Sequence, residues 1–463
     1  MNELTNFFES DIIESNEKEN NQMIREYPIS KVAQNEWKDF ALYTLENRAI
    51  PNMIDGMKNV QRFYVHSSIK NSKTDFKKVS AVSGVVSDYG YNHGEGSAAG
   101  AGQLMAAEWS NNICLVEGRG SFGTRLVQSA AAARYTYTRL HKNFSKYIKD
   151  IDLAPAHEDP EHEPPTFYVP VIPLVLTNGI KGIATGFATS ILPRDPEDLA
   201  RACKEYVETG NIGKKVRVKF PDFNGTVTYN PEEGRYYCNG IFERKSKTQL
   251  LITEVPYGYD REGYVKVLDK LEDDGHIVSY DDLCDKSGFK FEIKLKQSTS
   301  GNWDDQKIAS AFKLSKTFTE NLTVIDYRGK LKEYTDERDL VRDFCDYRNT
   351  ILQKRIALRK AEVEELGRWL TVKMEFIQAV LDDKIKFKNQ KKTEVAKQIF
   401  ANTKATTDDD ADRLLRINIM SLTDEMVKQL AKEIKEAQKQ LSYWMKTTTK
   451  KQFLNDLGEL TTS

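Results

Sequence analysis

AAAARYTYTRL, Ala130 to Leu140, carries an adjacent arginine and tyrosine, Arg134 and Tyr135, at the end of an alanine run. A glycine-rich approach, EGRGSFGTR (Glu117 to Arg125), leads into it. A phenol with a pKa near ~10 is about a thousandth ionised at pH 7, so it becomes a useful nucleophile only beside cations or a metal. Arg134 is such a cation: it stays charged and offers a planar fork to phosphate oxygens. Taken alone, the stretch reads more readily as an ordinary alanine-rich helix with Tyr and Arg in its interior. The surrounding chain decides between the two.

Working outward, RAIPNMIDGMKNVQR sets Arg48, Lys58 and Arg62 around a Pro and Asp-Gly turn between helical pieces, where cations are well placed for phosphate contact. DYGYNHGEGSAAGAGQLMAAEW, Asp88 to Trp109, puts His93 before Gly94 at the start of a small-residue helix. Its free backbone amides suit a phosphate, and its small residues let another backbone come close. Upstream, EWKDFALYTLENRAI predicts an amphipathic helix ending at Pro51, with Trp37, Phe40, Ala41, Tyr43 and Leu45 along one side. Residues 1–36 carry eight acids against three bases and read as a polar, mobile arm, whereas 48–149 carry fourteen bases against six acids. In a 463-residue chain of net charge -1, that basic segment is the footprint of a polyanion-binding domain, although a solvated lysine-rich surface gives the same count.

Length allows two to four domains, and 30% charged against 39% hydrophobic residues is ordinary for a soluble intracellular protein. No apolar run reaches bilayer length and no secretory signal opens the chain, so a cytoplasmic setting without membrane contact is expected. The five cysteines are scattered without CxxC spacing, which argues against a zinc site or a disulfide framework.

The order Arg48, Lys58, His93, Arg134, Tyr135 resembles the cleavage subunits of type IIA DNA topoisomerases, which share the RAxPxxxDGxKxVxR, HGE/HGD, glycine-rich and AAxRYT strings. The resemblance covers roughly residues 37–460 and looks closest to the T-even-like phage branch, whose cleavage subunit is encoded apart from its partners. It implies an α+β multidomain protein: a winged-helix DNA-cleavage domain over 37–160, an α+β tower over 161–336, and a long antiparallel coiled coil with a dimerisation gate over 337–463. It further implies that Tyr135 forms a 5′-phosphotyrosyl link with Arg134, Arg48 and His93 assisting, and that Lys58, Arg62, Gly94 and Arg125 meet DNA. EPPTFYVPVIPLVLTNGIKGIATGFATSILP, Glu163 to Pro193, resembles the segment that carries a DNA-inserting isoleucine, assigned here to Ile191. Gyrase A subunits have a second histidine where Tyr91 stands, which leaves that residue's role open. They also continue into a DNA-wrapping domain, so wrapping-driven supercoiling is not expected from a sequence ending at Ser463.

The rest of the chain fits on its own terms. Residues 200–335 alternate short apolar strands with charged turns around one amphipathic helix. From Glu337, Leu340, Phe344, Tyr347, Ile351 and Leu358, then Val363, Leu366, Leu370, Met374, Ile377 and Leu381, follow coiled-coil spacing. A returning arm runs through Met426, Leu430, Ile434, Ala437, Leu441 and Met445, capped by Ser421 or Thr423, with a knob over 382–420 and an amphipathic tail, FLNDLGEL. No Glu-Gly-Asp or Asp-x-Asp motif stands in a strand context, so this chain is expected to hold no metal. The resemblance assigns Mg²⁺ and ATP to ATPase and Toprim partner subunits and implies a homodimer acting on double-stranded DNA. Two other classes compete: a non-catalytic winged-helix architectural DNA-binding dimer, and a tyrosine recombinase or nicking enzyme.

Overall fold

The computed structural model describes residues 29–34, 36–300 and 302–461. The arm expected over residues 1–36 lies outside the described residues up to Pro28 and at Asn35; Ile29–Gln34 is a short helix.

Helix α1 (Glu36–Thr44) runs into a π-helical turn, Leu45–Ala49, closed by Ile50 N–H donating to the Leu45 carbonyl at 3.0 Å. The expected apolar stripe is not buried within this chain. Trp37 (56% exposed), Phe40 and Tyr43 face solvent, because only the π-turn end reaches a core, where Leu45, Ala49 and Ile50 meet Ile325.

Helices α2 (Asn59–Asn71), α3 (Val79–Gly84) and α4 (Glu95–Met105) pack with a three-stranded antiparallel sheet. In that sheet β3 (Tyr137–Leu140) lies between β1 (Lys77–Lys78) and β2 (Val116–Arg119). The small residues of α4 let it sit on the ring of Tyr64: a Cβ at Gly102 would fall 2.1 Å from that ring. The alanine run is not helical. Ala131 N–H donates to Ser121 O (3.0 Å) and Val79 N–H to Thr136 O (2.9 Å), so contacts across the fold override alanine's helix preference.

Hairpin β4 (Ile180–Ile183) and β5 (Ala188–Ile191) follows, then α5 (Pro196–Thr209), whose N-cap Asp195 accepts from Glu197 N–H at 3.0 Å. One core runs from Met53 through Phe167 and Cys203 to Leu352 and Phe453, so residues 167–216 bury with the 53–148 segment. The strand-rich part has its own cores. Strands β6 (Thr226–Asn230), β7 (Arg235–Asn239) and β12 (Ser315–Thr319) form one sheet; β8 (Ile241–Ser246), β9 (Gln249–Glu254), β10 (Ile277–Asp282) and β11 (Phe291–Leu295) form another. Helix α6 (Arg261–Asp273) covers the second sheet with Tyr264, Leu268 and Leu271. A two-stranded ribbon, β13 (Leu322–Ile325) and β14 (Leu331–Tyr334), leads out.

Helix α7 (Glu337–Leu381) has 45 residues, a span of about 67 Å, and starts at the N-cap Asp336. Helices α8 (Lys392–Asn402) and α9 (Asp408–Leu415) build a knob around Phe376, Ile385, Ile399 and Leu414. Helix α10 (Asp424–Lys446), capped by Thr423 accepting from Met426 N–H at 3.2 Å, returns along α7. Leu366, Leu381 and Met445 are exposed rather than in the seam. Gly367 faces Ala437 where Leu366 was expected to pack, and the 23-residue α10 is too short to cover both ends of α7. The tail helix α11 (Thr449–Thr461) buries Phe453 and Leu457 in the main core. A buried ionic cluster locks it to the base of α7: Arg348 and Arg355 both reach Asp150 and Asp456, with Arg348 Nη2 to Asp456 Oδ2 at 2.6 Å. Among the described residues no helix is long and apolar enough to cross a membrane.

Candidate functional site

Tyr135 sits on a tight turn, its N–H donating to Ala132 O at 2.8 Å. Both flanks of the turn are tied down. Ser80 N–H donates to Ala133 O (3.2 Å), and Gln103 of α4 donates to Ala131 O (2.6 Å) and Thr136 Oγ1 (3.2 Å). Just beyond, Tyr64 and Thr138 share a buried hydrogen bond of 2.6 Å. On this rigid base the phenol is 66% exposed, with the Arg134 guanidinium 4.7 Å from its ring centroid. A cation over a phenol ring, both open to solvent, is ready to meet an anionic backbone.

A second group lies at the N-terminus of α4. Gly94 adopts φ +84°, and a Cβ there would meet nothing within 4 Å, so glycine serves the backbone bend and leaves the helix end open. Arg48, on the π-turn, donates from Nη2 to His93 Nδ1 at 3.0 Å, and Tyr43 Oη is hydrogen-bonded to His93 Nε2. Because Nδ1 accepts, the neutral ring carries its proton on Nε2 and donates it to Tyr43. Burial first and Arg48 second hold this imidazole below its ordinary range, so it is neutral at pH 7 with its lone pair engaged. Among the described residues no hydrogen bond or ring contact joins this group to Arg134 and Tyr135.

Three expected DNA contacts have other positions. Arg62 (7% exposed) is bidentate to Asp55, at 2.8 and 3.0 Å, and donates to Met57 O at 2.7 Å; it holds the Asp-Gly turn together. Arg125 (4% exposed) pairs with Glu254 at 2.8 Å and donates to Asp222 O and Val255 O, clamping the glycine-rich loop to the strand-rich part. Both guanidinium groups are paired within the fold and almost wholly shielded from solvent. Ile191 is 2% exposed and belongs to the main core, because it closes the hairpin base against Ile180. The exposed isoleucine is Ile183, 87% exposed near the hairpin tip with Phe187 close by. Lys58 is half-buried, its ammonium lowered by burial and donating to Lys181 O at 3.0 Å, so it links α2 to that hairpin.

The sequence reading missed Tyr43, Gln103 and Ile183. Ile183 had a usable signal: it falls between Gly182 and Gly186, at the bend of an alternating hairpin. Tyr43 and Gln103 act through partners fifty and about thirty residues away, which no local pattern marks.

The fold is that of the DNA-binding and cleavage part of a type II DNA topoisomerase. The family described as the A subunit of DNA gyrase/topoisomerase IV matches residues 48–459, and the chain belongs to it. The chain is 41% identical over 443 residues to the DNA topoisomerase medium subunit of Enterobacteria phage T4, covering 93% of this chain and 98% of that protein. DNA topoisomerase 2 of Arabidopsis thaliana is 29% identical, covering 91% of the chain but only 32% of the relative. The solved DNA-binding, cleavage and re-ligation domain of Plasmodium falciparum topoisomerase II superposes with a TM-score of 0.85 at 27% identity, over 92% of this chain and 62% of that one.

Proposed function

We propose that this chain is the DNA-breakage-rejoining subunit of an ATP-dependent type II DNA topoisomerase. The observation that carries the reading is the exposed Tyr135 phenol beneath Arg134, on a turn fixed from both sides. Tyr135 Oη attacks a backbone phosphorus, the bond to the 3′ oxygen breaks, and the phenolic proton is lost as the 3′ hydroxyl gains one. The 5′ end is left on the tyrosine. One phosphodiester replaces another, so rejoining is the same step reversed. Arg134 stabilises charge on the phosphate in transit. His93, its lone pair occupied by Arg48, acts as a neutral donor that orders the α4 terminus rather than as the proton acceptor.

In this reading the three helices and small sheet over 37–160 are a winged-helix domain, 161–336 a tower, and 337–463 a coiled coil ending in a gate where two copies meet. Two copies cut opposite strands of one duplex and a second duplex passes through. Gly94 opens the α4 terminus to phosphate, Lys58 keeps two further donors beside the hairpin, and Ile183 takes the wedge role assigned to Ile191. Mg²⁺, a hard cation that takes oxygen ligands, does not fit the donors around Tyr135, where Arg134 is the charged neighbour. No group of three His, Cys, Asp or Glu able to hold a metal occurs among the described residues. We assign Mg²⁺ and ATP to ATPase and Toprim partner subunits, as the family resemblance implies. With a phage protein among the relatives, the host cytoplasm is the proposed setting.

The test is to combine the chain with such partners, Mg²⁺ and supercoiled plasmid, trap with denaturant, and map the DNA-linked residue by mass spectrometry. Linear DNA on Tyr135, absent with Tyr135→Phe or without the partners, is the expected result. Duplex binding with no adduct in the presence of active partners would replace this reading with the architectural dimer.

A further inference from the structure

Helix α10 carries five lysines on one narrow face. Lys428, Lys432, Lys435, Lys439 and Lys446 are spaced by 4, 3, 4 and 7 residues and all are exposed. At about 100° per residue they fall within a sector of roughly 60°, over about 27 Å of helix. This sector lies opposite the seam formed by Met426, Leu430, Ile434 and Ala437, which pack into the core of the arm.

An ordinary solvated coiled-coil face interleaves the two signs, as α7 does with Arg359–Glu362, Lys360–Glu364 and Arg368–Glu365. The α10 face does not. Asp424 and Glu425 flank it at the first turn and Glu436 borders it further on, pairing with Lys439 at 3.6 Å, while among the described residues the other four lysines make no ion pair. Like charges three and four apart destabilise a helix. Nothing in the packing of this arm requires them, so the row fits a polyanion running along the helix.

We propose that this lysine row is a contact surface for duplex DNA, touching the second duplex after it has crossed the break. The inference rests on the proposed strand-passage function: the arm extends from the cleavage region to the knob, and a duplex leaving between two such arms would travel alongside them. Row and duplex match in chemistry, a line of ammonium groups against a line of phosphates, and sequence-independent contact is what passage of any DNA requires.

The test uses the full chain with its partner subunits and the triple variant Lys432→Gln/Lys435→Gln/Lys439→Gln. These changes lie on the exposed face and remove like-charge repulsion, so the helix is retained, which far-UV circular dichroism checks. Three readouts are taken: the Tyr135 adduct on linear duplex, the decatenation rate over a salt series, and lysine–DNA crosslinks mapped by mass spectrometry. The expected result is an unchanged adduct, a several-fold slower decatenation with a shallower salt dependence, recovery with Lys→Arg at the same positions, and crosslinks on Lys432 to Lys439. Unchanged decatenation and salt dependence would overturn the proposal, as would a loss that arginine fails to restore. Absence of any adduct from the unmodified protein would instead overturn the cleavage reading, and the crosslinks would then judge the row by themselves.

Discussion

Two isoleucines eight residues apart on one hairpin separate the proposed wedge, Ile183, from a core residue, Ile191. Ile183 is 87% exposed, so truncating it costs the fold little, within about 0.5 kcal/mol. Ile191 is 2% exposed inside the main core, and Ile191→Ala should cost about 2–5 kcal/mol. The hairpin beneath Ile183 is rigid: a Cβ at Gly182 would fall 1.9 Å from Ala49 O, and Asn321 donates to Ala188 O at 2.8 Å. The wedge therefore needs no ordering when it enters DNA. Burying an isoleucine side chain yields about 1.5–3 kcal/mol. Losing most of that in Ile183→Ala predicts roughly 10- to 100-fold less bent, cleaved duplex at equal protein. The assay is fluorescence energy transfer between the ends of a short duplex, run beside adduct yield and thermal melting. The expected pattern is an unaltered melt with lost bending for Ile183→Ala, and a lowered melt for Ile191→Ala. Normal bending by Ile183→Ala, with bending lost in a normally melting Ile191→Ala, would refute the reasoning and return the wedge to Ile191.

Other consequences follow from the same geometry. Tyr135→Phe should melt like the parent and bind duplex with the same salt dependence while forming no adduct, since the phenol is exposed and its hydroxyl is hydrogen-bonded to nothing among the described residues. Arg62→Ala should leave the Asp55 carboxylate unpaired in the core and lower stability by about 3–5 kcal/mol, read as a fall in melting temperature before any change in the salt slope of DNA binding. The Arg338 side chain holds the Asp336 carboxyl at about 2 despite partial burial. A depressed acid contributes stability that is full above the unfolded pKa of about 4 and lost as pH falls towards 2. Asp336→Asn, which keeps a capping side chain, should therefore flatten the melting profile between pH 4 and 2, and an unchanged slope would remove Asp336 from the account.

The long apolar patterns were readable because each is repeated many times. Most strands of 226–334 and the two long helices α7 and α10 stand where alternation and three-and-four spacing place them, and of the two expected caps, Ser421 and Thr423, it is Thr423 that caps α10. The misassignments fall on single residues whose meaning depends on burial. Arg48, Arg62, Arg125 and Arg134 look alike in sequence, since each is a cation near a turn. Asp55 and Glu254 decide that Arg62 and Arg125 are internal braces, and Glu254 lies 129 residues from its partner. Trp37 and Phe40 were misplaced for the converse reason: an amphipathic face shows that something covers it, not that the same chain does.

That asymmetry bears on how the site works. Of these four arginines, the two left exposed, Arg48 and Arg134, each lie over a tyrosine that is itself open to solvent, Tyr43 and Tyr135 respectively. The buried ones are each paired with a carboxylate and almost wholly shielded from solvent. A guanidinium spent on the fold cannot also follow a phosphate through attack and return, because an uncompensated carboxylate would be left in the core at each departure. The division between bracing and working cations is thus set by which carboxylates the fold supplies. Placing a carboxylate at the turn that carries Arg134, as in Ser80→Asp in the first turn of α3, whose backbone N–H is bonded to Ala133 O, should suppress adduct formation even with Tyr135 intact, whereas Ser80→Asn should not. Equal adduct yields from the two variants would show that Arg134 does not need its charge free.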